Sequence, residues 1–399
     1  MKYVIVLADG MADEPVDELG GMTPMEAAYK PAMDKLAAQG LVGLVNNVPC
    51  NMKPGSDVAN LCVMGYDPAT CYSGRSPLEA LSVGVSMENT DVIFRCNLVT
   101  LTEAETYEEK TILDHSSGEI STEDADILMD AVREAFNNEE FAFYTGTSYR
   151  HIAVWKHGQV LDFEPPHDHL GEKIGPYLPK NVQFRRMMEK SFDILNHHPL
   201  NEKRAAEGKN KANSLWFWGA GTKPTLQNFK EKTGLCGTMI SAVDLLKGIA
   251  IGAGMQVVNV PGVTGSLDTN YSGKAQAALD ALLENGSDFV YIHVEAPDEM
   301  GHQGQVHHKV QSIEYIDEKI VAAVTAGLEA AGEDYRILVL PDHPTPIRCR
   351  THTAAPVPFV LYDSTSPLDK GYVFSERSAK ETGINIAHGY ELIQKLIGG

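Results

Sequence analysis

Apolar runs and polar interruptions along the chain predict alternating strands and helices. Tyr3–Ala8 is a continuous apolar run, typical of a strand buried on both faces of a parallel sheet, and it ends at Asp9. The sequence Thr23-Pro24-Met25-Glu26 combines a capping box with proline at the first helical position, and it predicts a helix start. A further strand is predicted at Leu41–Val45. Apolar residues then recur at helical spacing and predict a short helix beginning near Ser56.

The pattern changes between about residues 88 and 185. One helix is predicted from near Ser121, and the predicted strands are Val92–Leu101, Phe141–Tyr144, Ile152–Trp155 and Val160–Phe163. We interpret residues 88–185 as an inserted, smaller α+β domain. Residues 1–87 and 186–399 then form the core domain.

Strand and helix alternate again in the second half of the chain. The predicted strands are Leu215–Trp218, Gln256–Val260, Phe289–Val294 and Arg336–Leu340, and the helices are Ala242–Ala253, Lys274–Leu283 and Val310–Leu328. This rhythm favours a doubly wound, mostly parallel α/β sheet. The polar, basic stretch from 196 to 213 is predicted to be a loop or lid.

Composition narrows the functional classes. With 399 residues and 43% hydrophobic content, the chain can bury a large core. Its 33 basic and 54 acidic residues give a net charge of −21, which argues against nucleic acid or an anionic membrane as partner. Six scattered cysteines without a CxxC pair predict neither a disulfide framework nor a zinc ribbon, and they favour a reducing cytoplasm. The apolar run at the start of this sequence is too short for a signal peptide or a membrane span.

Metal-type side chains follow three of the predicted strands. They are Asp9 after the first strand, Asp298 and His302 after Phe289–Val294, and Asp342, His343 and His352 after Arg336–Leu340. Reactive groups of open α/β sheets gather at the carboxyl ends of strands. Carboxylate and imidazole together suit zinc, manganese or iron. Each residue alone has a plain explanation as a turn residue or helix cap, but their joint occurrence favours a site with two metals.

Ser56 has two interpretations that the local sequence leaves open. It is an ordinary helix N-cap, or it both starts the helix and serves as a nucleophile. A serine hydroxyl is a poor nucleophile at neutral pH, but a divalent cation and a helix N-terminus both favour its alkoxide. The surrounding "PGSDV" is not the GxSxG elbow of α/β-hydrolases.

Several motifs together resemble one family along essentially the whole chain. They are the early Asp-Gly, "PGSDVANLCVMGYDP", "GRSPLEA", "VPGVTGSLDTNYSGKA", "PDEMGH" and "PDH…RTHT". The chain is similar to the cofactor-independent phosphoglycerate mutases of archaeal type, in the alkaline phosphatase superfamily. This resemblance implies a phosphatase-like core interrupted by a smaller domain. It also implies two ions, one bound by Asp298, His302 and His352, the other by Asp9, Ser56, Asp342 and His343.

The reaction implied by the resemblance converts 3-phosphoglycerate to 2-phosphoglycerate through a phosphoserine on Ser56, without 2,3-bisphosphoglycerate. Manganese is the expected metal, with zinc, cobalt or magnesium as alternatives. An acidic protein must place cations around an anionic substrate. The candidates are Arg75, Arg150, His151 and Lys274. The alternative for each is an ordinary solvated charge.

One departure from the family pattern leaves the substrate open. The chain has Gly74-Arg75-Ser76-Pro77 where GRGP or GRAP is expected, and "DGMADEP" and "PGSDVANL" are similar to a subgroup proposed to be homoserine kinases. A kinase needs ATP, yet the sequence has neither a GxxxxGK[ST] loop nor a kinase-type GxGxxG. A phosphate or sulfate ester hydrolase and a non-catalytic binding protein are weaker alternatives. The expected partner is a small phosphorylated hydroxy acid, not a nucleic acid or a membrane.

Overall fold

A computed structural model describes residues 1–398. The strands are β1 Lys2–Ala8, β2 Leu41–Val45, β3 Val92–Leu101, β4 Ile112–Asp114, β5 Phe141–Tyr144, β6 Arg150–Trp155, β7 Ser214–Thr222, β8 Gly237–Ile240, β9 Gln256–Val258, β10 Phe289–Val294, β11 Tyr335–Leu340, β12 Val357–Asp363 and β13 Asn385–Ile386. The helices are α1 Pro24–Ala27, α2 Pro31–Gln39, α3 Ser56–Val63, α4 Pro68–Cys71, α5 Arg75–Ser82, α6 Thr122–Phe136, α7 Val182–Leu195, α8 Pro199–Ala206, α9 Phe229–Thr233, α10 Asp244–Gly252, α11 Tyr271–Leu283, α12 Ala296–Gln303, α13 Val306–Ile316, α14 Ala322–Ala330, α15 Glu376–Glu381 and α16 Leu392–Gly398.

The chain divides into two compact units. The first unit comprises residues 1–72 and those from 225 onward, and the second comprises residues 73–224. The second unit is larger than the predicted insert of residues 88–185, because α5 precedes it and α7, α8 and β7 follow it in the same unit. Both α5 and α7 pack against β7, which in turn pairs with β3.

The sheet of the first unit has the strand order β13-β2-β12-β11-β1-β10-β8-β9. β1 pairs in parallel with β10 and with β11, so that Ala8 lies opposite Val294 and Leu7 opposite Leu340. Only β12 runs antiparallel to its neighbours among the described strands of this sheet. The predicted mostly parallel α/β core is therefore confirmed. Because the three central strands end in register, the segments that follow them start at one edge of the sheet.

Burial explains why the central strands are almost continuously apolar. Every residue of β10 is buried, and so are the last five residues of β1. One face of the sheet packs against apolar residues of α2, α11, α13 and α14 in a single core. The capping box of Thr23 and Glu26 forms as predicted and starts α1. No helix within residues 1–398 combines the length and apolar character that a membrane span requires.

The second unit is built on an antiparallel sheet in the order β4-β3-β6-β5, with β7 on β3. The strand predicted at Leu215–Trp218 forms as part of β7, but it belongs to this sheet and not to the parallel core. No strand forms at Val160–Phe163. The ring of Phe163 instead packs 5.1 Å from the ring of Phe184, within an aromatic core that also contains Phe94.

The polarity of residues 196–213 suggested a loop or lid, and that prediction is wrong for most of the stretch. It contains α8, whose Asn201 and Arg204 are buried. The Asn201 side chain donates hydrogen bonds to the carbonyls of Leu195 and Ala212, 2.8 and 2.9 Å away. Arg204 forms an ion pair with Asp124 at 2.7 Å. These contacts tie the polar helix to its unit.

A buried ion pair joins the loops that follow β1 and β11. The Nζ atom of Lys309, on α13, lies 2.7 Å from the Oδ2 atom of Asp13 and donates to the carbonyl of Thr345 at 2.9 Å. Both charged side chains are almost fully buried. Burial lowers the pKa of Lys309, and the Asp13 carboxylate opposes that shift.

Replacement of Lys309 by methionine should lower the free energy of unfolding of the first unit by about 3–5 kcal/mol, because it leaves the Asp13 carboxylate buried without its cation. Urea unfolding would measure the change. The control is Arg348→Ala, because the Arg348–Glu14 pair joins the same two loops at the surface and should contribute little. Equal losses in the two variants would contradict this prediction.

Candidate active site

The loops after β1, β10 and β11 meet closely at the edge of the sheet. Gly10 has φ +62°, and a Cβ atom there would lie 2.7 Å from the Cα of Asp298 and 2.6 Å from the hydroxyl oxygen of Thr345. Its N–H donates to the Oδ1 atom of Asp342 at 3.2 Å. Only glycine combines this left-handed conformation with so close an approach.

Ser56 is the first residue of α3, and Gly55 is the N-cap. Because Gly55 holds the N-cap position, Ser56 is not the N-cap residue that one of the two interpretations made it. Its Oγ atom instead lies 3.4 Å from the Oδ2 atom of Asp9 and 3.3 Å from the Nε2 atom of His343. The helix therefore begins at a hydroxyl that faces the predicted ligands.

Asn60, one turn further along α3, fixes this arrangement. Its side-chain amide donates to the Ser56 carbonyl at 2.8 Å and to the Oδ2 atom of Asp342 at 2.9 Å. Its Oδ1 atom accepts from the hydroxyl of Tyr291 at 2.6 Å. Asn60 is fully buried, and it ties the first turn of α3 to a predicted metal ligand.

Asp9, Asp342 and His343 form one group of possible ligands, each offering an atom within 4.8 Å of the others. The Nε2 atom of His343 is 3.6 Å from the Oδ1 atom of Asp9 and 3.4 Å from the Oδ2 atom of Asp342. Burial, followed by the carboxylates of Asp342 and Asp298, raises the pKa of Asp9 well above its usual value. The Oδ1 atom of Asp9 is buried without a hydrogen-bond partner. A divalent cation would satisfy both the orphaned oxygen and the excess negative charge.

Asp298, His343 and His352 form a second such group. The Nε2 atom of His352 lies 3.3 Å from the Oδ1 atom of Asp298, and the His343 and His352 ring centroids are 3.9 Å apart. His302 joins from α12, with its Nε2 atom 3.3 Å from Asp298 and 2.9 Å from His352. His343 thus belongs to both groups, whereas the family resemblance assigns it to one ion.

Two of the predicted substrate-binding residues are fully buried. Lys274 donates to the backbone carbonyl of His293 at 2.7 Å, and burial lowers its pKa to about 8. His151 lies within β6 and accepts from the N–H of Gly146 at 3.2 Å; burial lowers its pKa to about 3. Direct contact of either side chain with a substrate would require its surroundings to move.

Arg75 and Arg150 lie in the second unit beside a third arginine. The Glu79 carboxylate accepts from the Nε atom of Arg75 at 2.7 Å and from that of Arg95 at 2.9 Å. Burial lowers the pKa of Arg95, the Glu79 carboxylate opposes this, and the charges of Arg75 and Arg150 lower it further. The guanidinium of Arg95 lies 4.8 Å from the ring centroid of Trp218. Arg75 and Arg95 thus share the Glu79 carboxylate, and the charge of Arg150 acts on Arg95.

Residues 37–201 match the family model for 2,3-bisphosphoglycerate-independent phosphoglycerate mutase. The chain is 48% identical over 402 residues to a probable mutase of this kind from Geobacter sulfurreducens, and both chains are covered completely. It is also 48% identical over 404 residues to the corresponding mutase of Methanosarcina acetivorans, again with complete coverage of both. The chain belongs to the 2,3-bisphosphoglycerate-independent phosphoglycerate mutases.

Solved structures agree with this family. A protein from Pyrococcus horikoshii superposes with a TM-score of 0.82 at 28% identity, over 100% of this chain and 96% of that one. The cofactor-independent phosphoglycerate mutase of Thermoplasma acidophilum gives a TM-score of 0.67 at 26% identity, over 100% and 99%. The predicted family is therefore confirmed, and the homoserine kinase alternative is not favoured.

Sequence reasoning missed three buried polar residues beside the predicted ligands of this mutase-family site. They are Asn60, His293 and Thr345. The hydroxyl of Thr345 donates to the Asp298 carboxylate and lies 3.3 Å from the Nδ1 atom of His343. One signal was available, because a polar residue inside an apolar run such as "FVYIHV" must find a partner when it is buried.

Protons and metal should compete at His302 in this member of the mutase family. The hydrogen bond to Asp298 raises the pKa of His302 to about 9, although its burial opposes the shift. Burial would raise the pKa of Asp298, but its hydrogen bonds with His302 and His352 hold it well below its usual value. A metal ligand must be a neutral imidazole, so a bound cation has to displace the His302 proton.

The apparent Mn²⁺ affinity of one site should therefore fall about tenfold for each pH unit below 9, because one proton must leave as the ion binds. Calorimetric titration of the metal-free protein at pH 6, 7 and 8 would measure this slope. The variant His302→Gln should flatten it. An affinity independent of pH over this range would mean that His302 does not exchange a proton for the metal.

Proposed function

We propose that this chain interconverts 3-phosphoglycerate and 2-phosphoglycerate, and that Ser56 carries the phosphoryl group between the two positions. One observation carries the proposal: the Ser56 hydroxyl lies within 3.4 Å of both Asp9 and His343, at the start of a helix. Helix N-termini favour negative charge, as on an alkoxide or a phosphate oxygen. Relatives that are 48% identical over their whole length are named as phosphoglycerate mutases.

Two divalent cations are proposed to complete the site, and no 2,3-bisphosphoglycerate is needed. Asp9, Asp342 and His343 with Ser56 would hold one cation, and Asp298 and His352 with His302 the other. Because the His343 ring also belongs to the second group of possible ligands, we propose that it supports both cations. Mixed carboxylate and imidazole donors suit Mn²⁺, our first choice, and they accept Zn²⁺, Co²⁺ and, less readily, Mg²⁺. Such ions stabilise negative charge on the attacking and leaving oxygens of phosphoryl transfer.

The chain's own residues then account for two transfers. Ser56 Oγ loses its proton and forms a bond to phosphorus as the bond between phosphorus and the 3-oxygen of the substrate breaks, and that oxygen takes up a proton. The bound glycerate then reorients. Its 2-hydroxyl loses a proton and attacks the phosphoserine, which releases Ser56 and restores its proton. No net proton or water is consumed, so the reaction is an isomerisation.

Substrate binding is proposed to use arginine side chains. Arg75 and Arg150 remain the candidates, and Arg95 joins them because it shares the Glu79 carboxylate with Arg75. A phosphorylated hydroxy acid carries two anionic groups, which arginines recognise through bidentate hydrogen bonds. We also propose that water is excluded from the phosphoserine, because transfer to water would turn the mutase into a phosphatase.

The proposed setting is glycolysis and gluconeogenesis in the cytoplasm. The substrate is small, and the net charge of −21 disfavours nucleic acid and anionic membranes as partners. The chain's cysteines fit a reducing compartment, since all six are free thiols.

A product assay tests the proposal. Purified protein with Mn²⁺ would receive 3-phosphoglycerate alone or, in a parallel reaction, homoserine with ATP, while phosphorus NMR follows 2-phosphoglycerate, phosphohomoserine and free phosphate. We expect 2-phosphoglycerate to form until equilibrium, without phosphate release. If it does not exceed the level of a Ser56→Ala control, the mutase proposal fails; phosphate release would indicate a phosphatase, and phosphohomoserine a kinase.

A further inference from the structure

His293 is a fully buried imidazole beside a proposed metal ligand. It is the fifth residue of β10, and its Nε2 atom lies 2.9 Å from the Oδ2 atom of Asp9. Its Nδ1 atom lies 3.1 Å from the hydroxyl oxygen of Ser241, which directly follows β8. The backbone is held at the same residue, because the Lys274 ammonium donates to the His293 carbonyl at 2.7 Å.

The hydrogen-bond partners determine which ring nitrogen carries the proton. An ionised Asp9 carboxylate can only accept, so the Nε2 atom of His293 must donate to it. Ser241 already accepts from the N–H of Val243 at 3.0 Å, and its own hydrogen is available for the Nδ1 atom. The hydrogen bonds from Ser241 through His293 to Asp9 thus all donate in the same direction, with a neutral His293 ring in a single tautomer.

These hydrogen bonds give different roles to the two carboxylate oxygens of Asp9. The Oδ2 atom is occupied by His293 and faces the Ser56 hydroxyl at 3.4 Å. The Oδ1 atom has no hydrogen-bond partner and lies 3.6 Å from the Nε2 atom of His343. A carboxylate held through one oxygen has a fixed plane, and the other oxygen is then available to a cation in one orientation.

We propose that His293 is a positioning residue, which orients the Asp9 carboxylate for metal binding, and that Ser241 sets its tautomer. The proposal rests on the two-metal site of the proposed function. It goes further, because it places part of the metal affinity in a residue that does not touch the ion. Partners of this kind typically change metal affinity by about 10–100-fold.

Mn²⁺ titration of the metal-free protein, without substrate, tests the proposal. His293→Leu removes the donor to Asp9, whereas the amide nitrogen of His293→Gln reaches nearly the position of the imidazole Nε2 atom and keeps the donor. We expect His293→Leu to weaken one of the Mn²⁺ equivalents by about 10–100-fold and to leave the other unchanged. His293→Gln should bind close to the parent protein.

Ser241→Ala provides a milder variant that leaves the ring in place. It should weaken the same Mn²⁺ equivalent by a smaller factor, because the ring can then adopt the other tautomer. Thermal unfolding of each metal-free variant reports on folding separately. The proposal is overturned if His293→Leu and His293→Gln lose affinity equally, if His293→Leu binds like the parent, or if the parent binds no Mn²⁺.

The experiment separates this inference from the proposed function. A parent protein that binds Mn²⁺ but forms no 2-phosphoglycerate would reject the mutase activity, while the titrations would still decide the role of His293. An active mutase whose His293→Leu variant binds Mn²⁺ normally would reject the positioning role alone.

Discussion

Replacement of Ser56 by alanine should lower kcat for phosphoglycerate interconversion by roughly 10⁴-fold or more, because it removes the atom that receives the phosphoryl group. The proposed ligands around it would remain: Asp9, Asp342 and His343 are buried and held by other contacts. The variant should therefore still bind Mn²⁺. A steady-state assay of 2-phosphoglycerate formation would measure the rate, and metal analysis would verify occupancy.

A matched control separates loss of the nucleophile from loss of a helix start. Ser375 is the N-cap of α15, and its hydroxyl oxygen accepts from the N–H of Ser378 at 3.1 Å. Ser375→Ala should cost stability but leave the rate close to that of the parent. Acid quenching during turnover should trap phosphate on the peptide that contains Ser56. Near-normal turnover of Ser56→Ala, or phosphate on another residue, would contradict the mechanism.

The convergence of the proposed ligands was predictable because it depends on two rules that the sequence reveals. Continuous apolar runs predicted β1, β10 and β11, and the residues after such strands gather at one edge of a parallel sheet. The structure brings together Asp9, Asp298 and Asp342 in this way. The full strand order does not matter here, since any order that keeps these strands parallel and adjacent brings their carboxyl ends to the same edge.

The pairing partner of a strand and the boundaries of the two units were not predictable in the same way. The run at Leu215–Trp218 correctly indicated a strand, but its apolar character does not identify a partner. It pairs with β3, far earlier in the chain. Residues 73–87 were likewise predicted to belong to the core, whereas they lie in the second unit. Their place is set by the packing of α5 against β3 and β7, and a local sequence pattern does not contain that information.

The burial of individual polar residues was not predicted from the sequence. Lys274 and His151 were predicted to bind substrate because they are cationic or titratable, yet both are buried and satisfied, at least in part, by the backbone. Asn60 and His293 were missed because each lies within an apolar segment. Their contribution depends on partners 231 and 284 residues away, Tyr291 and Asp9. Such partners become visible only in the folded chain.

His343→Ala should reduce bound Mn²⁺ further than Asp298→Ala, because the His343 ring belongs to both groups of possible ligands. The Asp298 variant loses donors of one group only. We expect about two ions per parent chain, about one in Asp298→Ala and fewer than one in His343→Ala. Elemental analysis after equilibration in buffered Mn²⁺ would count them. His307→Ala is the control, because this exposed histidine pairs with Glu18 at the surface.

The loss of His343 should also lower the rate of catalysis. Since the Nε2 atom of His343 also lies 3.3 Å from the Ser56 hydroxyl, His343→Ala removes a neighbour of the nucleophile together with its metal, and kcat should fall by roughly 10³-fold or more. Unchanged metal content in both variants would reject the ligand assignment. Loss of one ion in each would instead restore the assignment of His343 to a single ion, as in the family pattern, and would leave the second group to Asp298, His302 and His352.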